Sequence, residues 1–158
     1  ATFDPIYKMA PPLRTADDVA ALKEGLRDGT IDCIASDHAP HEQEEKEVEF
    51  ACAAFGVIGL ESTLPIVIRE LILSQLLSWN ELVAKMTVNP ARILGIDRGT
   101  LSVGAAADVT IIDPDLSWTI DVSRFVSKSR NCPFSGQIVR GRATMTIVGG
   151  DIKYRLAE

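Results

Sequence analysis

The chain's only two histidines, His38 and His41, stand one and four residues after Asp37 in the stretch Ile34-Ala35-Ser36-Asp37-His38-Ala39-Pro40-His41. Carboxylates and imidazoles are the side chains that hold divalent cations and move protons near neutral pH. Just before them, Ile31 to Ala35 is a short apolar run that reads as a buried strand, and Ser36-Asp37 opens the loop after it. Asp37 then lies at a strand's C-terminal mouth, where α/β barrels place their catalytic groups. A carboxylate anchored there by a sheet and open to a cleft can bind Zn²⁺ or exchange a proton with a metal-bound water. The competing reading is a loop aspartate that caps the next segment. The spacing makes no self-contained metal site, because a third good ligand is missing and His38 should point away from Asp37 on an extended strand end. Residues from other strands would have to complete it.

The elements that must position these groups are legible on either side. Thr15-Ala16-Asp17-Asp18 resembles a capping box, and Val19, Leu22 and Leu26 share one helical face, so a helix is expected from about Ala16 to Asp28, ended by Gly29. After the site, His41 to Glu49 is a charge run that reads as a solvated loop or helix face, the alternative being an acidic lid beside the site. Ala51 to Leu60 is small and apolar, with Gly56 and Gly59 where backbone has to approach something closely or simply pack tightly. A long apolar helix is expected from Ser62 to Leu77, entered through Pro65 in its first turn. Ser78 to Glu81 forms a capping box for another helix, and Asn89-Pro90 interrupts before a last turn over Ala91 to Gly95.

Beyond Gly95 the pattern changes to strands: Val109 to Ile112, Trp118 to Val122, Gln137 to Val139, Ala143 to Val148 and Ile152 to Arg155, with Gly149-Gly150 as a two-residue hairpin turn. A domain boundary is expected near Asp97 to Gly104. The chain of 158 residues, 46% hydrophobic, is enough for one real core. It reads as part of a larger unit, since a closed eight-stranded barrel takes about 250 residues and residue 1 is Ala.

A formal charge of -6 without basic clusters argues against nucleic-acid binding. Cys33, Cys52 and Cys132 are odd in number and unpatterned, which suggests neither a disulfide framework nor a thiolate zinc site and fits a reducing cytoplasm. The most apolar stretch, Leu60 to Leu77, is broken by Glu61, Pro65, Arg69 and Glu70, so no membrane span is expected. A phosphate-binding glycine loop, a serine elbow and a cysteine with a plausible histidine base are all missing.

Five segments carry a resemblance that covers nearly the whole chain: Lys8 to Arg14 (KMAPPLR), Asp28 to His41 (DGTIDCIASDHAPH), Phe55 to Ser62 (FGVIGLES), Val88 to Gly95 (VNPARILG) and Gly99 to Asp113 (GTLSVGAAADVTIID). Together they resemble the dihydroorotases of the amidohydrolase superfamily, of the bacterial and multifunctional-complex type. The resemblance implies an α/β fold in which residues 1–97 are the C-terminal part of a TIM-like (β/α)8 metal-dependent hydrolase barrel. Residues 98–158 are then a segment of a small β-sandwich domain.

The activity implied is reversible conversion between L-dihydroorotate and N-carbamoyl-L-aspartate in pyrimidine synthesis, with one or two Zn²⁺ whose other ligands lie upstream of this chain. On the family's pattern Asp37 is both metal contact and proton carrier. His41 contacts the substrate carboxylate, and Phe55 and Gly56 lie by backbone near the pyrimidine ring. His38 is expected to serve loop packing instead. Ala10 departs from the family, which has Asn there to bond the ring, and Ala54 stands where Pro is common. Other cyclic amidohydrolases, such as hydantoinases and allantoinases, share this logic. Ala10 also supports a different reading, a noncatalytic dihydroorotase-like subunit serving aspartate transcarbamoylase. Expected partners are the upstream part of the same enzyme, further copies in a homo-oligomer, and possible association with that transcarbamoylase.

Overall fold

The computed structural model describes residues 3–157. The helix expected at the start is α1, Ala16–Asp28, and Gly29 closes it at φ +86, a left-handed conformation that costs glycine little. The acidic run contributes α2, Gln43–Lys46. Next come α3, Thr63–Val67, which widens into a π-helical turn over Ile68–Leu73, then α4, Trp79–Met86, and α5, Val88–Leu94. Three strands follow: β1 is Val109–Thr119, β2 Ile138–Val148 and β3 Asp151–Arg155. They form one sheet in the order β1-β2-β3. The described residues thus show an α/β arrangement with a small open sheet.

Several expectations change in detail. Ile31 to Ala35 is half-buried at most positions but is not a strand, because no neighbouring strand pairs with it among the described residues. Its backbone is satisfied otherwise: Ile31 N donates to Gly25 O at 2.8 Å and Ile34 N to Lys85 O at 3.0 Å. Lys85 Nζ donates to Ile31 O at 2.6 Å and Asn89 Nδ2 to Asp32 O at 2.8 Å. The long helix ends at Leu73 and not at Leu77. Gln75 is left-handed at φ +59, and the amides of Leu76 and Leu77 both turn back to Leu71 O, at 3.0 and 2.9 Å.

The capping box at Ser78 and Glu81 is formed. The break after α4 falls at Thr87, so Asn89 and Pro90 lie inside the first turn of α5, where a missing amide is tolerated. The two strands expected between Val109 and Val122 merge into β1, which carries Pro114 because it lies at the sheet edge. Val122–Arg124 is instead a 3₁₀ turn, capped by Asp121 accepting the Ser123 amide at 3.0 Å. The strands expected over Gln137 to Val139 and Ala143 to Val148 likewise merge into β2, which starts at Ile138. Gly149 and Gly150, at φ +59 and +88, make the expected tight turn to β3.

The chain packs as two compact units. One draws on residues 3–20, 36–63 and 118–139, and the other on residues 21–35, 64–117 and 140–157. The second unit's core is Ile68, Leu71, Leu77 and Leu82, with Leu26, Ile34 and Ile112 among the side chains packed on it. At Gly141, φ +89, an added Cβ would lie 2.5 Å from Ile68 Cδ1, so backbone and core touch directly there. Leu82 is 2% exposed and its neighbour Val83 45%. Leu82→Ala is expected to lower unfolding free energy by about 2–5 kcal/mol through lost burial and a residual cavity, and Val83→Ala by less than about 1 kcal/mol. Equal losses in denaturant titrations of the two variants would contradict this placement of the core.

Candidate active site

All the residues proposed for chemistry from the sequence fall in the first unit, on extended segments and loops. Three segments lie side by side there. Gly56 N donates to Lys8 O at 2.9 Å, and Ala39 N donates to Val57 O at 3.0 Å. The glycines explain how close they come: a Cβ on Gly56, φ +129, would stand 2.4 Å from Ala39 Cβ, and one on Gly59 would stand 2.3 Å from Asp37 O. Side chains are excluded at both positions by the loop that carries Asp37 and His41.

A buried ammonium joins these segments. Lys46 lies in the run read as solvated, yet it is 7% exposed, and its Nζ donates to Ala54 O at 3.0 Å, Gly56 O at 3.1 Å and Lys8 O at 3.3 Å. Three donors meet three carbonyls, so the charge is hydrogen-bonded although it is removed from water. Burial, and secondarily the Lys8 ammonium, pushes the Lys46 amine below the ordinary lysine range. Lys8 is buried too, donating to Ala51 O at 2.9 Å, and its Nζ lies 4.4 Å from the Phe55 ring centroid, a cation–π contact.

From further along the chain, Asn131 Nδ2 donates to Ala39 O at 2.9 Å and Gly56 O at 3.1 Å, and the backbone carbonyl of Asn131 accepts from Ile58 N at 3.2 Å. Glu61 accepts the amides of Val126 and Ser127, both at 3.2 Å. No spacing in the sequence marked Lys46, Ser129 or Asn131. A lone cation inside an acidic run and small polar residues outside any periodic segment look like surface.

Asp37 is exposed, and its Oδ1 accepts the His38 amide at 2.7 Å, which fixes the carboxylate on its own loop. The His38 ring accepts through Nδ1 from Gly59 N at 3.3 Å and Leu60 N at 3.4 Å, in keeping with a packing role for that nitrogen. The His41 ring lies between the Glu45 carboxylate, 3.0 Å from Nδ1, and Phe55 O, 2.8 Å from Nε2. Phe55 is 58% exposed and Ala10 is exposed. A cavity of about 590 Å³ opens in this unit, lined by His41, Glu42, Lys46, Ser129 and Asn131 among others. Of the residues proposed for chemistry only His41 reaches it.

Known proteins share this arrangement of segments. Residues 10–153 match the Amidohydrolase family. The chain belongs to that family. The dihydroorotase of Pelotomaculum thermopropionicum is 55% identical over 150 residues, which take in 95% of this chain and 35% of that protein. The dihydroorotase of Geobacter metallireducens is 54% identical over 153 residues, 97% of this chain and 36% of that protein. Among solved structures, the L-hydantoinase (dihydropyrimidinase) from Arthrobacter aurescens superposes with a TM-score of 0.91 at 36% identity, covering 99% of this chain and 36% of that one. This amidohydrolase chain therefore spans little more than a third of the length of these relatives.

Zinc is the metal the family generally binds. Among the described residues no three His, Cys, Asp or Glu side chains come together in a metal-binding group. Asp37 offers a single carboxylate, and a zinc site takes three or more protein ligands. The described residues alone do not fit a complete zinc site.

Lys46→Met is expected to lower stability by about 1–3 kcal/mol, since three carbonyls lose their donor. The folded amine is held below the usual lysine range, so over the window just under that range the unfolded chain binds the proton and the folded chain does not. Stability of the unsubstituted protein therefore gains as pH rises through that window, and the methionine variant lacks the gain. Denaturation at a series of alkaline pH values should show the difference between the two widening with pH. A difference that narrows would contradict the assignment.

Proposed function

We propose that this chain is the portion of a dihydroorotase that carries the aspartate-bearing loop of its active site, in an enzyme that interconverts L-dihydroorotate and N-carbamoyl-L-aspartate in pyrimidine synthesis. The observation that carries this reading is the 55% identity to a dihydroorotase over 95% of the chain, set against 36% identity to an L-hydantoinase over a comparable span. Hydantoinase-type hydrolysis is the second reading, supported by the 0.91 TM-score to that same enzyme. In the proposed protein, residues 1–97 belong to a closed (β/α)8 barrel and residues 98–158 to a small β domain. Zinc is its cofactor, and the protein is cytoplasmic. Further copies of itself and an aspartate transcarbamoylase are the partners consistent with the family.

The roles follow from what each group can do where it stands. Asp37 would be one contact to the metal; it takes a proton from the attacking water as the water oxygen bonds the amide carbonyl carbon, and passes that proton to the ring nitrogen as the C–N bond breaks, a task for an exposed carboxylate held by a single local hydrogen bond. His41 is assigned to the substrate carboxylate, to which a ring N–H can donate. Phe55 and Gly56 border the ring through backbone, and the Gly56 amide and carbonyl are already committed to Lys8, Lys46 and Asn131. Ala10 has no polar side-chain atom, so ring groups facing it must find another partner.

Supplied with zinc, the isolated chain is expected to give no dihydroorotate turnover above background. Activity abolished by Asp37→Asn would show that the described residues suffice after all. In the complete protein Asp37→Ala should depress kcat far more than His38→Ala, while His41→Ala should chiefly raise KM for the carboxylated substrate. Steady-state kinetics on dihydroorotate checks this, and equal losses at Asp37 and His38 would overturn the assignment. Ala10→Asn should tighten dihydroorotate binding about tenfold by restoring one ring hydrogen bond. Calorimetric titration would reject a lost contact if binding were unchanged, and tighter binding without any turnover would favour a noncatalytic subunit.

A further inference from the structure

We infer that Ser129 is a positioning residue for His41, holding the backbone of that residue so that its ring meets the substrate carboxylate. The inference rests on the dihydroorotase reading above for what His41 binds, and on geometry alone for how it is held. Ser129 Oγ accepts from His41 N at 3.1 Å and lies 2.6 Å from His41 O as a donor, so one hydroxyl grips both backbone polar groups of a residue 88 positions away. The same hydroxyl contacts Asn131 Oδ1, and its single proton is shared between these two acceptors. Asn131 is thereby fixed, and it spends both amide protons on Ala39 O and Gly56 O.

Residues 129 to 131 thus stitch the His41 loop to the Phe55–Gly56 segment, whose carbonyl stands 2.8 Å from His41 Nε2. Residues 32–42 contain no helix or strand, so the loop has no ladder of its own to hold it. Both clamping residues are buried, at 9% and 5% exposure, and removing the hydroxyl leaves the His41 amide and carbonyl without that protein partner. The loss falls on the placement of the ring and leaves Asp37, four residues earlier, on its own local hydrogen bond.

The test uses the complete protein with Ser129→Ala, Ser129→Thr and His41→Ala, and the pair Ser129→Ala with His41→Ala. Ser129→Ala should raise KM for dihydroorotate about tenfold while kcat changes less than about threefold. Ser129→Thr keeps the hydroxyl and should restore KM. In the His41→Ala background Ser129→Ala should have little further effect, because the group it positions is gone. A general folding role would lower the active fraction and hence kcat, would act in full in both backgrounds, and would overturn the inference. Crystal structures of the two serine variants give a readout independent of turnover: the contact from His41 Nε2 to Phe55 O should be lost in the alanine variant and kept in the threonine variant. If the unsubstituted protein does not turn over dihydroorotate, the dihydroorotase reading fails, and the crystal structures alone decide on Ser129. An unmoved His41 ring in Ser129→Ala would sink it.

Discussion

Backbone polar groups that are buried without a ladder have to be satisfied by side chains, and much of this molecule is organised around that constraint. The segments that carry the proposed chemistry, 8–10, 36–41 and 55–59, are neither helical nor paired as strands, yet their carbonyls and amides bond one another and nearby side chains at partly buried positions. Lys46 and Asn131 supply four hydrogen bonds to these segments in the first unit, and Lys46 a fifth to the adjoining Ala54 O. Lys85 and Asn89 do the same kind of work for residues 31 and 32 in the second. An ammonium suits this task because it presents three donors from one point, so carbonyls arriving from different directions can converge on it. The cost is desolvation of a charge, visible in the lowered proton affinity of Lys46. No buried side-chain nitrogen or oxygen among the described residues is left without a partner, so the cost is met by complete hydrogen bonding.

This arrangement separates two jobs that regular secondary structure usually combines. The backbone of the site is fixed by buried donors and by glycines that admit close approach, whereas Asp37, Phe55 and Ala10 stay exposed. Exposed side chains on a fixed backbone are what a site needs if its groups are to meet a ligand without first being released from the core. His41 is the intermediate case. Its ring is partly covered and engaged with Glu45 and Phe55 O, so a ligand carboxylate has to take the place of one of those acceptors.

What could be read from the sequence was whatever has a local signature. Thr15 to Asp18 and Gly29 bound α1, Ser78 and Glu81 cap α4, and Gly149-Gly150 turns β2 into β3, because each depends on residues a few positions apart. The failures have the opposite character. Ile31 to Ala35 has the composition of a strand, but being one depends on a neighbour that composition does not supply. The end of the long helix depends on Gln75 turning left-handed, a conformation for which a glutamine gives no warning. In the site, Asp37 and His41 were legible as chemistry-bearing types, whereas Lys46, Ser129 and Asn131 were not. Their function lies wholly in contacts across tens of residues, and their types are those of ordinary surface.

The same separation bears on Ala10, one of two positions, with Ala54, where the resemblance to dihydroorotases leads to the expectation of a different residue. Support for this segment comes from neighbours and not from residue 10: Lys8 O accepts from Gly56 N and Lys46 Nζ, and Lys8 Nζ bonds Ala51 O. Replacing asparagine by alanine on such a segment removes a polar side chain without disturbing the backbone hydrogen bonds that fix its path. On the proposed dihydroorotase reading the consequence falls on ligand affinity and choice, where an unmet ring donor or acceptor is worth about 1–3 kcal/mol if it stays buried. A substitution at Lys46 or Ser129 would act in the other direction, leaving every side chain proposed to face the ligand intact while loosening the backbone that carries them. Departures at exposed positions of this site therefore speak to what it binds, and departures at its buried donors speak to how its backbone is held.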